Sequence, residues 1–571
     1  MNETSENPTP NSSSSTTKLH SDSGTNPPPK LRWYRSSKFP IFAIVVLGLG
    51  LLWAQLFFDP IQGDALVNLI SFAMSALLGM ILAFWFTFLS FYSRRTVLTI
   101  MIPLLLIGVG WAASIRSVEF DGDMKANFVY RWEPPPVLQQ AQASPTQEAV
   151  GIYEESPTDF PAYRGRNFDG ILVSPPLNKD WQAKPPRELW RTDVGEGYAS
   201  MSVLGNSLIT LEQRENQEAV TCYDTTTGQL KWIHAYPARF YEAMGGLGPR
   251  TTPTISEGRV YVAGAAGDAI CLDFFTGKVI WSRNLLQDLN IPNVIWGQSS
   301  SPLVLEDKVI FNPGAPDGDG LMALDPDTGK TIWQAAGLSK YTEENKSNHC
   351  GYSSPIVMNI HDVEQLIIFE GKGLRSCDIQ TGETLWHYPF ENGADVNSAQ
   401  PVLLDDGHHI FISASYAMGS AVVDVQKTTQ TNAEGVEKIS WTVEKVWHEE
   451  RTLRSKFTSV IYRDDYIYGL DEGIMMCIEP LTGKKQWKAG RFGHGQLVYA
   501  DGTILVMAED GNLHMIEPNP TEFRELTSMM VLPNSSKVWN PQALADGIVY
   551  VRDHRQMAAF DIRKTEPVPA P

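Results

Sequence analysis

The sequence predicts an all-β fold, an eight-bladed β-propeller of four-stranded blades, preceded by three transmembrane α-helices. Three observations predict it: a phrase with Asp, Thr, Gly and Trp at fixed offsets that recurs along the chain, β-rich hairpin patterns that recur with it, and three long uncharged apolar runs near the N-terminus. A repeat period of 40 to 55 residues is the mark of a propeller or solenoid.

Residues 1–38 read as a disordered cytoplasmic tail, because the first 29 are rich in Ser, Thr, Asn and Pro and hold too little apolar surface to offset chain entropy. Residues 39–115 form the anchor, with spans at about 39–58, 66–92 and 97–115; each run meets the roughly 20 residues that cross about 30 Å of hydrocarbon. Lys30, Arg32, Arg35 and Lys38 precede the first span, only Asp59 and Asp64 are charged in the link after it, and Arg94 and Arg95 separate the second from the third. The positive-inside rule then expects a multi-pass protein of the inner (cytoplasmic) membrane, N-terminus cytoplasmic and everything after the third span periplasmic or otherwise extracytoplasmic. The first apolar run is too long for a signal-peptide core, and uncharged spans argue for anchoring over transport. Residues 116–159, with Glu133 followed by Pro134, Pro135 and Pro136, read as a Pro-rich semi-extended linker.

The formal charge is −19, and residues beyond 120 carry 38 basic against 59 acidic side chains. Such an acidic body argues against nucleic acid as a partner. The five cysteines, Cys222, Cys271, Cys350, Cys377 and Cys477, form no CxxC and no CxxCH, so buried packing is expected of them, not a metal centre, haem attachment or disulfide framework.

The ring occupies residues 160–565. Hairpin patterns fall at 200–211, 251–264, 300–312, 353–371, 398–413, 457–470, 495–510 and 540–553. The phrase that follows each is anchored on Asp224, Asp273, Asp325, Asp378, Asp424, Glu479, Glu517 and Asp561, so the two halves of the repeat count eight independently. The turn glycines are Gly228, Gly277, Gly329, Gly382 and Gly483, and the tryptophans that follow are Trp232, Trp281, Trp333, Trp386 and Trp487. Asp561 has no Trp after it; its missing outer strand is expected from the other end of the ring, around Trp190, which closes the circle and removes exposed edges. The phrase is decayed near 424–441, where an insertion precedes Trp441, and near 517–526, where Gly and Trp are gone.

The phrase's chemistry is structural. The acidic side chain and Thr accept turn amides, Gly supplies positive φ, and Trp fills the gap between blades. Any site is therefore expected at the channel mouth, where the innermost strands begin: Arg250, Gln298, Tyr352, Asn397, Lys456, His494 and Asn540 are the binding candidates. No catalytic residue and no metal ligand is assigned. The run PDGDG (316–320) lacks the later bidentate Glu of a calcium loop, and EQRENQE (212–218) reads as a solvated loop.

On the phrase CYDTTTGQLKW (222–232) and its copies, the chain resembles the PQQ-like β-propeller repeat superfamily, whose repeats read roughly AxDxxTGxxxW. That superfamily includes pyrroloquinoline quinone (PQQ) dehydrogenases and BamB-type outer-membrane assembly lipoproteins. With FPAYRGRNFDGIL (160–172) and IRSVEFDGDMKANFVYRW (115–132), the layout resembles membrane-anchored PQQ-like proteins of planctomycete-type bacteria. Two readings follow. One is a non-catalytic binding or assembly scaffold for extracytoplasmic protein or envelope partners, with no cofactor. The other is a PQQ-dependent membrane-bound dehydrogenase of alcohols or sugars, which the resemblance says would need PQQ, Ca²⁺ and long enclosing loops. The sequence has no Cys-Cys pair, and about 46 residues per blade leave little room for such loops.

Overall fold

A computed structural model describes residues 33–58, 63–140, 155–315, 320–338, 348–431, 437–535 and 537–564. The sequence expectations for the tail up to residue 32 and for residues 316–319 of PDGDG lie outside these. The chain divides into two units, one of residues up to Leu52 with Met74–Leu106, the other of Trp53–Ala73 with Ile107–Pro571.

The first unit is helical and holds most of α1 (Lys38–Leu56) and α3 (Arg94–Ser114) and the second part of α2 (Asp64–Phe84), which continues as a π-helical turn over Trp85–Leu89. Lys38–Leu56, Asp64–Leu89 and Arg94–Ser114 are each long and apolar enough to span a membrane, with mean hydropathies of 2.2, 2.2 and 2.1. Helices suit such runs because every backbone group is satisfied within the segment.

The second unit contains eight four-stranded antiparallel blades, one of them with an extra strand. Blades 1 to 4 begin at Met201, Thr254, Leu303 and Ile356, and blades 5 to 8 at Val402, Ile461, Gln496 and Ala543. Blade 8 supplies three strands, and its outer strand is Arg187–Asp193, paired Ala559↔Trp190 and Asp561↔Arg187, as the missing-strand argument expects. Around the channel the inner strands are linked blade to blade: the Thr252 amide donates to Ser301 Oγ, Ser301 to Ser354 Oγ, Ser354 to Gln400 Oε1 and Gln400 to Ser459 Oγ, at 2.8–3.0 Å.

At the outer rim the repeated phrase acts as a clasp. Asp224 Oδ1 accepts the amides of Thr226 and Thr227 at 3.0 Å, and Gly228 turns the chain at φ +67°. Trp232 then reaches the next blade, donating Nε1–H to the Phe274 carbonyl at 3.0 Å, with its ring under Gly277, where an added Cβ would lie 2.5 Å from it. Trp190, Trp281, Trp333 and Trp487 donate to the following blades' Thr225, Pro326, Ile379 and Asn519 in the same way. All five cysteines are buried, which fits packing.

The decayed copies depart from expectation in instructive ways. In blade 5 the interblade tryptophan is Trp447, which pairs with Val422 as Trp232 pairs with Cys222 and donates to the Pro480 carbonyl at 2.8 Å. Trp441 belongs to an extension, because Gly419–Thr431 and Glu437–Glu449 are both 13 residues long. Blade 7 has Thr527 opposite Met515 where a tryptophan would stand, and its Oγ1 receives the amide of Trp181, which is buried in the cluster joining blades 7 and 8. EQRENQE is not a solvated loop: Glu212 and Glu218 are fully buried. Glu212 accepts from Thr221, Tyr223, Arg214 and the Gly195 amide, and Glu218 accepts from the Tyr236 hydroxyl at 2.6 Å.

Two segments outside the blades close the channel. FPAYRGRNFDGIL binds the inner strands of several blades: Phe160 bridges Val203, Pro161 accepts from the Ile255 amide, and Ile171–Leu172 pairs in parallel with Tyr499 and Ala500. Arg164, 3% exposed, donates to the carbonyls of Leu497, Val460 and Asp169. The expected 116–159 linker is structured at its start, where β1 (Ile115–Phe120) and β2 (Ala126–Tyr130) form a hairpin. Further along, Val137 N–H donates to Asp193 and Gln139 to Thr192 and Gly228, so the prolines run along the rim instead of leading away from it.

Candidate functional site: the channel mouth

A strand's side chains alternate, and a shift of one residue sends a side chain to the opposite face. That rule sorts the residues ahead of the inner strands. Residues in one phase, including Tyr198, Arg250, Ser299, Tyr352, Ser398 and Phe457, line a cavity of about 640 Å³. Residues one step out of phase turn sideways into the walls. Gln298 is buried near Cys350 and the Pro313 carbonyl, Asn397 donates to the carbonyls of Glu370 and Phe390, and Asn540 donates to those of Gly197 and Ala199.

Of the seven sequence candidates, then, the structure brings Arg250, Tyr352 and Lys456 to the cavity lining. Lys456 is out of phase but long enough to reach. His494 lies beneath the β1–β2 turn, and Gln298, Asn397 and Asn540 hold blades together. The sequence reading missed Trp296, Tyr416, Trp539 and the hairpin tip, all of which line the same space. Trp296 and Arg250 arrive on the insertions after blades 2 and 1, whose lengths were the available signal.

The tip of the hairpin, Asp121 to Met124, sits in the mouth. The Gly122 amide donates to Glu509 Oε1 at 2.8 Å and Lys456 Nζ donates to the Gly122 carbonyl at 2.7 Å. Only glycine fits here, since an added Cβ would come within 1.9 Å of the His494 ring. Glu509 also accepts from Trp539 Nε1 and the His494 amide, and His494 Nε2 stands 3.4 Å from Asp123. Burial opposes the charge on Asp123, but His494 and then Lys125 outweigh it and hold the carboxyl well below the usual range. Leu66 and Leu69, at the start of α2, complete the lining.

The remaining wall is aromatic and cationic. Trp539 lies 5.3 Å from Tyr198 and 4.8 Å from Phe457, and Trp296 lies 5.8 Å from Tyr352. Arg250 stacks over Phe240 at 4.7 Å and Lys537 over Trp539 at 4.1 Å, the distances of cation–π contacts. Burial pulls the Lys537 ammonium down to about 8.

Flat aromatic faces beside cations suit a planar anionic ring. A calcium ion with that ring would also need six to eight oxygen ligands, several of them carboxylates. Among the described lining residues the one carboxylate is Asp121, and the nearby Glu509 is taken up by three donors. The lining does not fit a calcium–quinone pair.

Eight blades, most of them clasped by an acidic residue, Gly and Trp at fixed offsets, define a PQQ-like propeller. The sequence model of the family described as outer membrane protein assembly factor BamB matches residues 181–345 and 216–489, more than half of the chain, and the chain belongs to that family. A quinoprotein ethanol dehydrogenase of Pseudomonas putida is 24% identical over 155 residues, 26% of this chain and 24% of that protein, so the match spans about a quarter of the relative. Among solved structures, BamB from Moraxella catarrhalis aligns with TM-score 0.46 and 16% identity, over 67% of this chain and 99% of that one. Quinohemoprotein alcohol dehydrogenase from Comamonas testosteroni aligns with TM-score 0.49 and 13% identity, over 72% and 82%.

Proposed function

We propose that this chain is an extracytoplasmic propeller, anchored in the inner membrane with its N-terminus in the cytoplasm, that binds protein or envelope partners as a scaffold without catalysis. The observation that supports it is how the mouth spends its reactive groups. Quinone chemistry asks for a free carboxylate base and a cation aimed at a carbonyl. Here Glu509 and Lys456 are both hydrogen-bonded to the backbone of Gly122, and His494 is covered by the same turn.

A quinoprotein dehydrogenase is the second reading, supported by the aromatic faces of Trp296, Tyr352 and Trp539 and the cations Arg250 and Lys537. The deciding experiment uses the full chain in detergent with PQQ and Ca²⁺, followed by thermal shift and by dye-linked oxidation of alcohols and sugars. The scaffold reading expects neither saturable stabilisation nor turnover; both together overturn it. A reporter fused at the C-terminus is expected to be active only outside the cytoplasm.

A further inference from the structure

Blade 5 breaks the clasp in a patterned way. Its acidic residue, Asp424, has no turn threonine or glycine to serve, and its carboxylate instead accepts from His408 Nδ1 at 2.9 Å and Gln426 Nε2 at 3.2 Å. The carbonyl of the next residue, Val425, sits where a preceding blade's tryptophan donates elsewhere, but here His361 Nε2 donates to it at 2.7 Å. Trp386, displaced from that role, donates to Gln365 within its own blade. Three histidines have thus gathered where the repeat elsewhere has none: His361 stacks on His408 at 5.2 Å with planes 9° apart, and the His408 and His409 rings are 4.3 Å apart. Asp406, in the tight turn before them, accepts from His409 Nδ1 at 2.7 Å.

From this geometry we infer a binding site for a divalent transition-metal ion at the junction of blades 4 and 5, with Asp406, His408 and His409 as ligands and Asp424 as the carboxylate that orients His408. Each ligand offers one donor atom, and these atoms lie within 4.8 Å of one another. All three side chains are partly exposed, at 33%, 31% and 17%, so they remain open to an arriving ion and can close around it by side-chain rotation. Two imidazoles with one carboxylate are a donor set for Zn²⁺, Cu²⁺ or Ni²⁺, not for Ca²⁺ or Mg²⁺. A carboxylate on the far nitrogen of a ligand histidine fixes its tautomer and ring orientation, the arrangement Asp424 makes with His408. Waters or a partner's side chain fill the remaining positions of a site that has three protein ligands.

The test titrates Zn²⁺ alone into the full-length, tag-free chain in detergent, stripped with EDTA, by calorimetry and by thermal shift. One saturable equivalent is expected. His408→Ala and His409→Ala each weaken it at least about tenfold, and Asp424→Asn weakens it about ten- to a hundredfold, the range for an orienting carboxylate. His514→Ala, whose Nδ1 bonds Glu525 on blade 7, leaves it unchanged. If an alanine variant loses its cooperative melt, His408→Gln and His409→Gln take its place. Absence of saturable binding to the wild-type chain, or binding unaltered when His408→Ala and His409→Ala are combined in one chain, overturns the proposal.

Discussion

At the outer rim Trp190, Trp232, Trp281 and Trp333 repeat one contact, each seated beneath the glycine of the next blade. At the channel mouth blades 1 to 6 place Tyr198, Arg250, Ser299, Tyr352, Ser398 and Phe457 at their in-phase positions, a mixture of aromatic, cationic and hydroxyl side chains. At these positions the rim meets a like neighbour each time, so one solution serves them all. The mouth faces a single shared space, and each blade contributes a different part of its wall. Uniformity therefore marks what holds the ring together, and variety marks what the ring presents.

The sharpest break of this comparison is Trp232→Ala, which removes a buried ring from between two blades. It is expected to cost about 3–5 kcal/mol in denaturant unfolding. Next comes the pH dependence of Glu218, at the mouth end of blade 1, whose carboxyl burial pushes up to about 7. A carboxyl raised in the folded state favours folding in its protonated form, so stability is highest below pH about 4.5 and declines as pH rises to about 7. The decline amounts to about 3 kcal/mol, and Glu218→Gln abolishes it. Glu509→Gln, which discharges the group beneath the hairpin tip, is expected to cost about 1.5–3 kcal/mol and to speed hydrogen exchange at the Gly122 amide. The smallest change is Trp296→Ala at the mouth, under about 1 kcal/mol, because this half-buried ring faces the cavity and makes one edge contact, with Tyr352, outside the rim clasps. A loss as large as that of Trp232→Ala would erase the distinction between rim and mouth.

Blade number, closure at Trp190 and the clasp chemistry were legible because a repeat states them several times. Gln298, Asn397 and Asn540 were misplaced for a simple reason: near the start of a strand one residue of phase reverses the face, and a lone sequence does not mark where the pleat begins. Trp441 stood in for Trp447 because an insertion carries its own period-two pattern. The hairpin at 115–130 was hidden by its composition, since Asp121, Gly122 and Asp123 look like a solvated turn until Glu509, Lys456 and His494, more than 300 residues later, are seen to bind it. Arg164 and Trp181 likewise gain their roles from partners far along the chain.

The pairing of Arg187–Asp193 with Gln556–Asp561 has a consequence for how the protein is made. During synthesis the first-made strand of the ring waits as an unpaired edge while more than 350 residues follow it, and such edges invite pairing with other chains. Its natural guard is the stretch just upstream, where Val137 and Gln139 already grip Asp193 and Thr192. A chain stalled before Gln556 is thus a ring with a gap and a sticky end, the form in which quality-control proteases are expected to meet it.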